Sequence, residues 1–250
     1  MPQRQVDLPT DDGTCPTHVF APEGAGPWSA VILYMDGLGI RPAMLAMAGR
    51  LAEAGYYTLL PDLFYRSGPY TSPDPVKLFS DPETRSAWAA RFIGTITIAG
   101  VMRDTRAFLA YLAAQPDVRQ PHVGTTGYCM GGRFSLAAAG HFPDRVVAAA
   151  AYHPGNLASD APDSPHLLAA AIRGEIYVGG ATADPNFPDE QKERLEQALA
   201  AAGVRHTIET YPARHGWVPS DLPVHDPVAA ERHWDTLLAL LARNLRTLQK

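Results

Sequence analysis

Two kinds of apolar pattern alternate along the chain. Short apolar runs bounded by glycine and proline predict strands at 14–21, 29–34, 56–60, 123–128, 146–152, 175–179 and 207–211. Longer segments with apolar residues at helical spacing predict helices at 42–54, 82–92, 101–114, 130–141, 189–202 and 227–248. Strands that alternate with helices in this way indicate a mostly parallel sheet covered on both faces.

The first two predicted strands flank the segment 22–27, Pro-Glu-Gly-Ala-Gly-Pro, which is a strong turn signal. We therefore expect them to form an antiparallel pair. The predicted fold class is α/β, with a mostly parallel, doubly covered sheet and an antiparallel N-terminal pair. In such a sheet, ligands bind beyond the carboxyl ends of the strands.

The chain length of 250 residues suits one α/β domain, so we expect a single domain over 1–250. Residues 64–82 show little periodicity, several prolines and several aromatic side chains. Long loops in compact domains often serve as lids. A loop-rich lid region is therefore predicted at about 64–100.

Composition excludes several classes of function. A net charge of −5 gives no basic surface for nucleic acid or for an anionic membrane. The first residues lack the apolar core of a signal peptide, and no run of about 18 apolar residues predicts a membrane span, so a cytoplasmic location is expected. Two cysteines, Cys15 and Cys129, are too few for a disulfide framework or a zinc site. No metal or other cofactor is predicted.

The most informative motif is Gly127-Tyr128-Cys129-Met130-Gly131, where a predicted strand runs directly into a predicted helix. A nucleophile on such a strained turn needs small residues two positions before and after it, because larger ones would collide with backbone. The helix N-terminus favours a thiolate at Cys129, and the N–H of Met130 is free to bind an oxyanion. A buried structural cysteine is the alternative interpretation.

A nucleophile of this kind requires a base and an acid that orients the base, which follow in the order nucleophile, acid, base in α/β-hydrolases. Asp184 follows the predicted strand 175–179, and His215 follows the strand 207–211. They are the candidate acid and base. His153, at the end of strand 146–152, is a candidate for lining the pocket.

These residues resemble the dienelactone hydrolase family. The matching motifs are the Cys129 turn, the Asp184 loop and His215-Gly216-Trp217, in the family's order across nearly the whole chain. The resemblance implies an α/β-hydrolase domain, a cysteine nucleophile in a Cys129, Asp184, His215 triad, no cofactor, and activity on lactones or esters.

The resemblance extends to the end of strand 29–34. The family usually has a glutamate here that contacts the cysteine, and this chain has Asp36, which is one methylene shorter. By analogy, the N–H of Gly37 is the second oxyanion donor, with Leu38 as the alternative. Asp36 could instead be a turn-forming or N-cap carboxylate.

The chain departs from the family in its arginines. Family members that act on dienelactone hold the substrate carboxylate with arginines, one of them shortly after the histidine, where this chain has Pro219 and Ser220. Arg85 and Arg91 are candidate replacements, although helix-face arginines are commonly solvated. The aromatic residues of the lid and Trp217 predict either a mainly apolar pocket or ordinary packing in the hydrophobic core. Among the lid aromatics, Tyr65 is our candidate for substrate binding.

We therefore expect a hydrolase of the carboxylic ester class that cleaves a small-molecule ester or lactone, as a monomer or a homodimer. A thioesterase or acyl transferase is an alternative, since the same triad serves any activated acyl group. Two alternatives from other classes of protein also remain open: a non-catalytic binding protein, and a redox sensor in which Cys129 is reversibly oxidised.

Overall fold

The structure is a computed structural model that describes residues 3–246. Its strands are β1 (Gln3–Thr10), β2 (Gly13–Phe20), β3 (Trp28–Tyr34), β4 (Tyr56–Pro61), β5 (Val118–Tyr128), β6 (Val146–Tyr152), β7 (Glu175–Ala181) and β8 (His206–Tyr211). Its α-helices are α1 (Pro42–Glu53), α2 (Pro75–Ser80), α3 (Pro82–Arg91), α4 (Ile98–Ala113), α5 (Met130–His141), α6 (Asp189–Ala201) and α7 (Pro227–Leu241). Short 3₁₀ helices span Tyr65–Ser67, Ile93–Thr95 and Pro165–Ala171.

These strands form one sheet in the order β1-β2-β4-β3-β5-β6-β7-β8. β2 is antiparallel to both β1 and β4, and the remaining neighbours are parallel. The predicted fold class is confirmed, including an antiparallel pair at the N-terminus. The predicted partners of that pair are wrong, because β2 pairs with β1 while β3 lies between β4 and β5.

Burial explains why these partners were misassigned. β1 is largely exposed and polar, so its sequence carries little strand signal. β3 is buried over nearly its whole length, as expected for a strand in the parallel interior of a sheet. An edge strand with a solvated face can be recognised only once its partner is known.

Helices cover the sheet on both faces. On one face, Arg50 of α1 forms a bidentate ion pair with Glu231 of α7, at 2.7 and 2.6 Å. Elsewhere α4 packs on α5, and both α5 and α6 contact the 3₁₀ helix Pro165–Ala171. Among the described residues, no helix has the length and apolar character needed to cross a membrane.

Most predicted elements match the structure to within a few residues, and α5 and β6 have their predicted bounds. The segment predicted as a loop at 64–82 contains α2, whose first turn is capped by the Asp74 carboxylate. The helix predicted at 227–248 ends as α7 at Leu241 and continues as a π-helical turn to Arg246. Its last two predicted residues lie outside the described part of the chain.

The parallel strands end at one edge of the sheet. There, the residues other than glycine with positive φ angles are Cys129 (53°) after β5, His153 (37°) and Asn156 (57°) after β6, and Ala183 (51°) after β7. Such strained conformations persist where the surrounding structure holds them, and they concentrate at functional sites. The carboxyl edge of β5, β6 and β7 is therefore where we place the candidate site.

Candidate active site

Cys129 occupies the sharp turn between β5 and α5, with φ 53° and ψ −117°. A Cβ atom on Gly127 would lie 2.1 Å from the carbonyl oxygen of Gly131, and one on Gly131 would lie 2.3 Å from that of Tyr34. Both positions therefore need glycine, as the sequence predicts. The turn holds the cysteine at the N-terminus of α5.

The two cysteines lie in different environments. Cys129 is partly exposed, whereas Cys15 is buried between the strands of the N-terminal region. Burial raises the pKa of the Cys15 thiol to about 12. Cys129 is thus the thiol that a substrate or reagent can reach.

His215 and Asp184 form a short hydrogen bond, with 2.6 Å between Nδ1 and the Asp184 Oδ2 atom. The other oxygen of Asp184 accepts from the backbone and side-chain amides of Asn186, at 2.9 and 3.0 Å. Burial alone would raise the pKa of Asp184, but the interactions with His215 and Asn186 lower it below its usual value. Asp184 is therefore an ionised, fixed acceptor for the histidine.

Cys129 interacts with His215 as well. Burial alone would lower the pKa of His215, but charge attraction and a hydrogen bond to Cys129, together with Asp184, raise it to about 10. An imidazolium at His215 is therefore stable at neutral pH when Cys129 is a thiolate. The structure brings the three residues singled out from the sequence into one cluster.

The candidate oxyanion donors lie on two different segments. Among the hydrogen bonds of residues 3–246, neither the N–H of Met130 nor that of Gly37 donates to a protein acceptor. The N–H of Leu38, in contrast, donates to Asp36 Oδ1 at 2.9 Å. Gly37 is therefore better suited than Leu38 to bind an oxyanion.

Asp36 is buried and ion-paired. Arg41 binds both of its oxygens, at 2.6 and 2.8 Å, and also binds Asp221 at 2.6 Å. The hydrogen bonds of Asp36 within the described residues go to Arg41 and to Leu38, which identifies a turn-forming carboxylate. It does not cap α1, whose N-cap residue, Arg41, makes no side-chain cap.

His153 and Trp217 lie behind His215. The centroid of the His153 ring is 5.2 Å from that of His215 and 5.0 Å from that of Trp217, and Trp217 stacks on Tyr211 at 4.8 Å. Both His153 and Trp217 are completely buried. Burial, reinforced by the charge of His215, lowers the pKa of His153 well below its usual range, so it is a neutral ring.

Three other candidates interact with residues outside this cluster or with solvent. The hydroxyl of Tyr65 donates to Asp104 at 3.0 Å and lies 2.7 Å from the Thr10 hydroxyl, so the side chain packs against the β1–β2 hairpin. Arg85 is exposed on α3. Arg91 lies over Phe92 and donates to the Pro69 carbonyl at 3.2 Å.

Three residues outside the predicted site interact with its candidate residues. Arg41 holds Asp36, and Trp88, one of the predicted lid aromatics, donates from Nε1 to the Gly37 carbonyl at 2.7 Å. Arg133 lies one turn beyond Cys129 on α5, and the charges of Cys129 and Asp163 both act on it. For Arg133, the sequence signal was its spacing of four residues from Cys129.

Residues 3–246 contain no cluster of histidine, cysteine and carboxylate side chains that could hold a metal ion.

A family model described as the dienelactone hydrolase family matches residues 15–245.

A carboxymethylenebutenolidase of Rhodococcus opacus is 28% identical over 239 residues, which cover 93% of this chain and 88% of that protein. A Methylorubrum extorquens protein assigned as a carboxymethylenebutenolidase is 26% identical over 238 residues, with coverages of 93% and 78%. The crystal structure of a Klebsiella pneumoniae protein assigned as a dienelactone hydrolase has a TM-score of 0.84 at 23% identity, with coverages of 96% and 98%. This structural likeness extends over the whole fold.

Proposed function

Because the chain belongs to the dienelactone hydrolase family, as its motifs predict, we propose that it cleaves its ester or lactone substrate through an acyl-enzyme on Cys129. The observation that supports this proposal is that His215 interacts with both Asp184 and Cys129. Its Nδ1 atom lies 2.6 Å from Asp184, and Cys129 interacts with the same ring. A histidine held in this way can both stabilise a thiolate and transfer a proton.

In the first half-reaction, the Cys129 thiolate attacks the carbonyl carbon, and the carbonyl electron pair moves to oxygen. The N–H groups of Met130 and Gly37 stabilise that oxyanion. When the intermediate collapses, the bond to the leaving oxygen breaks, and His215 donates its proton to the departing alkoxide. The product is a thioester on Cys129, and in a lactone the alcohol remains attached to the acyl group.

In the second half-reaction, neutral His215 takes a proton from water as the water oxygen attacks the thioester. The tetrahedral intermediate then expels the Cys129 thiolate and leaves a carboxylic acid. The ionised Asp184 stabilises the imidazolium in each half-reaction and fixes the ring orientation. The enzyme returns to its starting thiolate–imidazolium pair.

The chemistry of the nucleophile defines the substrate class. A thiolate is a better leaving group than an amide nitrogen, which can depart only after His215 has protonated it. Enol esters, aryl esters and strained lactones have leaving groups that compete well with the thiolate. We therefore expect activated esters and small lactones to be better substrates than ordinary amides.

The test is hydrolysis of p-nitrophenyl acetate by the wild-type protein and by Cys129→Ala. The proposal predicts turnover by the wild type, a burst of p-nitrophenol from acylation, and loss of both in the variant. Ester hydrolysis that survives in Cys129→Ala would refute the proposal. Faster cleavage of an acyl thioester than of the matched aryl ester would assign the same triad to a thioesterase.

A further inference from the structure

The loop that carries Gly37 is held from one side by the segment predicted as a lid. We call residues 36–41 the oxyanion loop, on the basis of the function proposed above. Trp88 Nε1 donates to the carbonyl of Gly37 at 2.7 Å, and the Ser72 hydroxyl donates to that of Leu38 at 2.9 Å. The hydroxyl of Tyr70 accepts from the N–H of Ile40 at 2.9 Å. Three side chains of the lid region thus bind the backbone of the loop, at Gly37, Leu38 and Ile40.

The oxyanion loop also packs tightly against this region. A Cβ atom on Gly37 would lie 2.9 Å from Ile93 Cδ1, and one on Gly39 would lie 2.6 Å from the Tyr70 hydroxyl. Gly39 also has a positive φ of 82°. Glycine lets the loop approach the lid this closely, but it also leaves the backbone free to adopt other conformations.

The Trp88 side chain is itself held in place by aromatic packing. The Trp88 ring lies 4.2 Å from Phe92, 5.8 Å from Tyr70 and 5.9 Å from Phe64, measured between centroids. Phe64 and Phe92 are buried. A side chain packed among several rings has few rotamers available, so its hydrogen bond orients the partner backbone as well.

The orientation of the Gly37 N–H depends on the hydrogen bonds that hold the oxyanion loop. It belongs to the peptide between Asp36 and Gly37, and Arg41 fixes the Asp36 side of that peptide. On the other side, the Trp88 bond fixes the carbonyl of Gly37 and thereby the backbone angles of this glycine. We propose that Trp88 is a positioning residue that keeps the Gly37 N–H aimed at the substrate oxyanion. This inference rests on the proposed function.

The experiment compares two reactions of Cys129. Hydrolysis of p-nitrophenyl acetate passes through an oxyanion, whereas alkylation by iodoacetamide displaces iodide from a saturated carbon and forms none. Trp88→Phe keeps an aromatic ring and removes the N–H donor. We expect kcat to fall about 10–100-fold with KM within about 3-fold, because loss of an oxyanion donor costs up to about 10²–10³. The alkylation rate should stay near that of the wild type.

Trp28→Phe is the matched control, since Trp28 stacks on Tyr57, at 6.5 Å between centroids, and lies at the start of β3, whereas the oxyanion loop follows the end of that strand. It should leave both reactions unchanged. Should Trp88→Phe fail to fold, Tyr70→Phe tests the neighbouring bond to Ile40 in the same two assays, with the same expected loss of kcat. Alkylation of Cys15 does not interfere, because that thiol is buried.

Two results would overturn the inference. One is a kcat for Trp88→Phe equal to that of Trp28→Phe; the other is a parallel loss of hydrolysis and alkylation, which indicates general disturbance of the site. Both leave the proposed function intact. In contrast, a wild-type protein without ester hydrolysis, or full activity in Cys129→Ala, would refute the function itself and the inference with it.

Discussion

Arg41 and Asp36 form a buried, bidentate ion pair, with distances of 2.6 and 2.8 Å between their nitrogen and oxygen atoms. Both side chains are nearly inaccessible to solvent, at 3% and 2% exposure. Arg41 also binds Asp221, which lies beyond His215 in the chain, so one guanidinium connects the oxyanion loop with the loop that follows the histidine. The Asp36 carboxylate is thereby engaged by Arg41 and by the N–H of Leu38, which agrees with the turn-forming alternative considered from the sequence.

The ion pair predicts a large loss of stability in Arg41→Met. This substitution leaves the Asp36 carboxylate buried without its partner, which typically costs about 3–5 kcal/mol. Urea unfolding measures the change. Asp221→Asn is the comparison, because the Asp221 side chain is 31% exposed and a partly exposed pair contributes about 1 kcal/mol or less. Equal losses in the two variants would contradict a structural role for the Asp36 pair.

Asp184→Asn should reduce kcat strongly while the protein remains folded. The amide is similar in shape to the carboxylate, but it cannot stabilise the imidazolium and favours the wrong tautomer of His215. We expect a loss of about 10²–10⁴-fold in kcat for p-nitrophenyl acetate. Asp189→Asn, at an exposed ion pair with Lys192 on α6, is the control and should retain activity. A loss of less than tenfold in Asp184→Asn would argue against its role in the triad.

The raised pKa of His215 predicts how stability depends on pH. The folded protein binds this proton more tightly than the unfolded chain does, with a pKa of about 10 instead of the usual value near 6.5. The stabilising contribution is therefore complete below about pH 6.5 and is lost as pH rises towards 10. The difference in unfolding free energy between wild type and His215→Gln should shrink across this window. A difference that grows with pH would contradict the assignment.

Arg133 should assist the thiolate through its charge. It lies one turn beyond Cys129, and the charges of Cys129 and Asp163 both act on it. Removing the cation in Arg133→Gln should lower the rate of iodoacetamide alkylation at neutral pH several-fold, because an opposite charge nearby favours the thiolate. Arg133→Lys should restore most of the rate. If both variants react at the wild-type rate, the charge has no effect on Cys129.

The sequence alone was sufficient for the features that depend on local pattern. The bounds of α5 and β6 follow from apolar periodicity and from the glycines around Cys129. Asp184 and His215 became candidates because each follows a recognisable strand, and parallel strands end at one edge of a sheet. Chain order then predicted which of them is the acid and which is the base. These signals are local, so no knowledge of the folded chain was needed to read them.

Only the tertiary structure decided which partners those residues meet. β1 was missed because an exposed edge strand carries little apolar signal, and so β2 was paired with the wrong neighbour. The bonds from Arg41 to Asp221 and from Trp88 to Gly37 join residues 180 and 51 positions apart. Such contacts leave no periodicity in the sequence, because they arise from the packing of loops at the sheet edge. The sequence predicts that Cys129 is a nucleophile in a turn, whereas the fold determines that Asp36 is bound to Arg41 and that Trp88 donates to the carbonyl of Gly37.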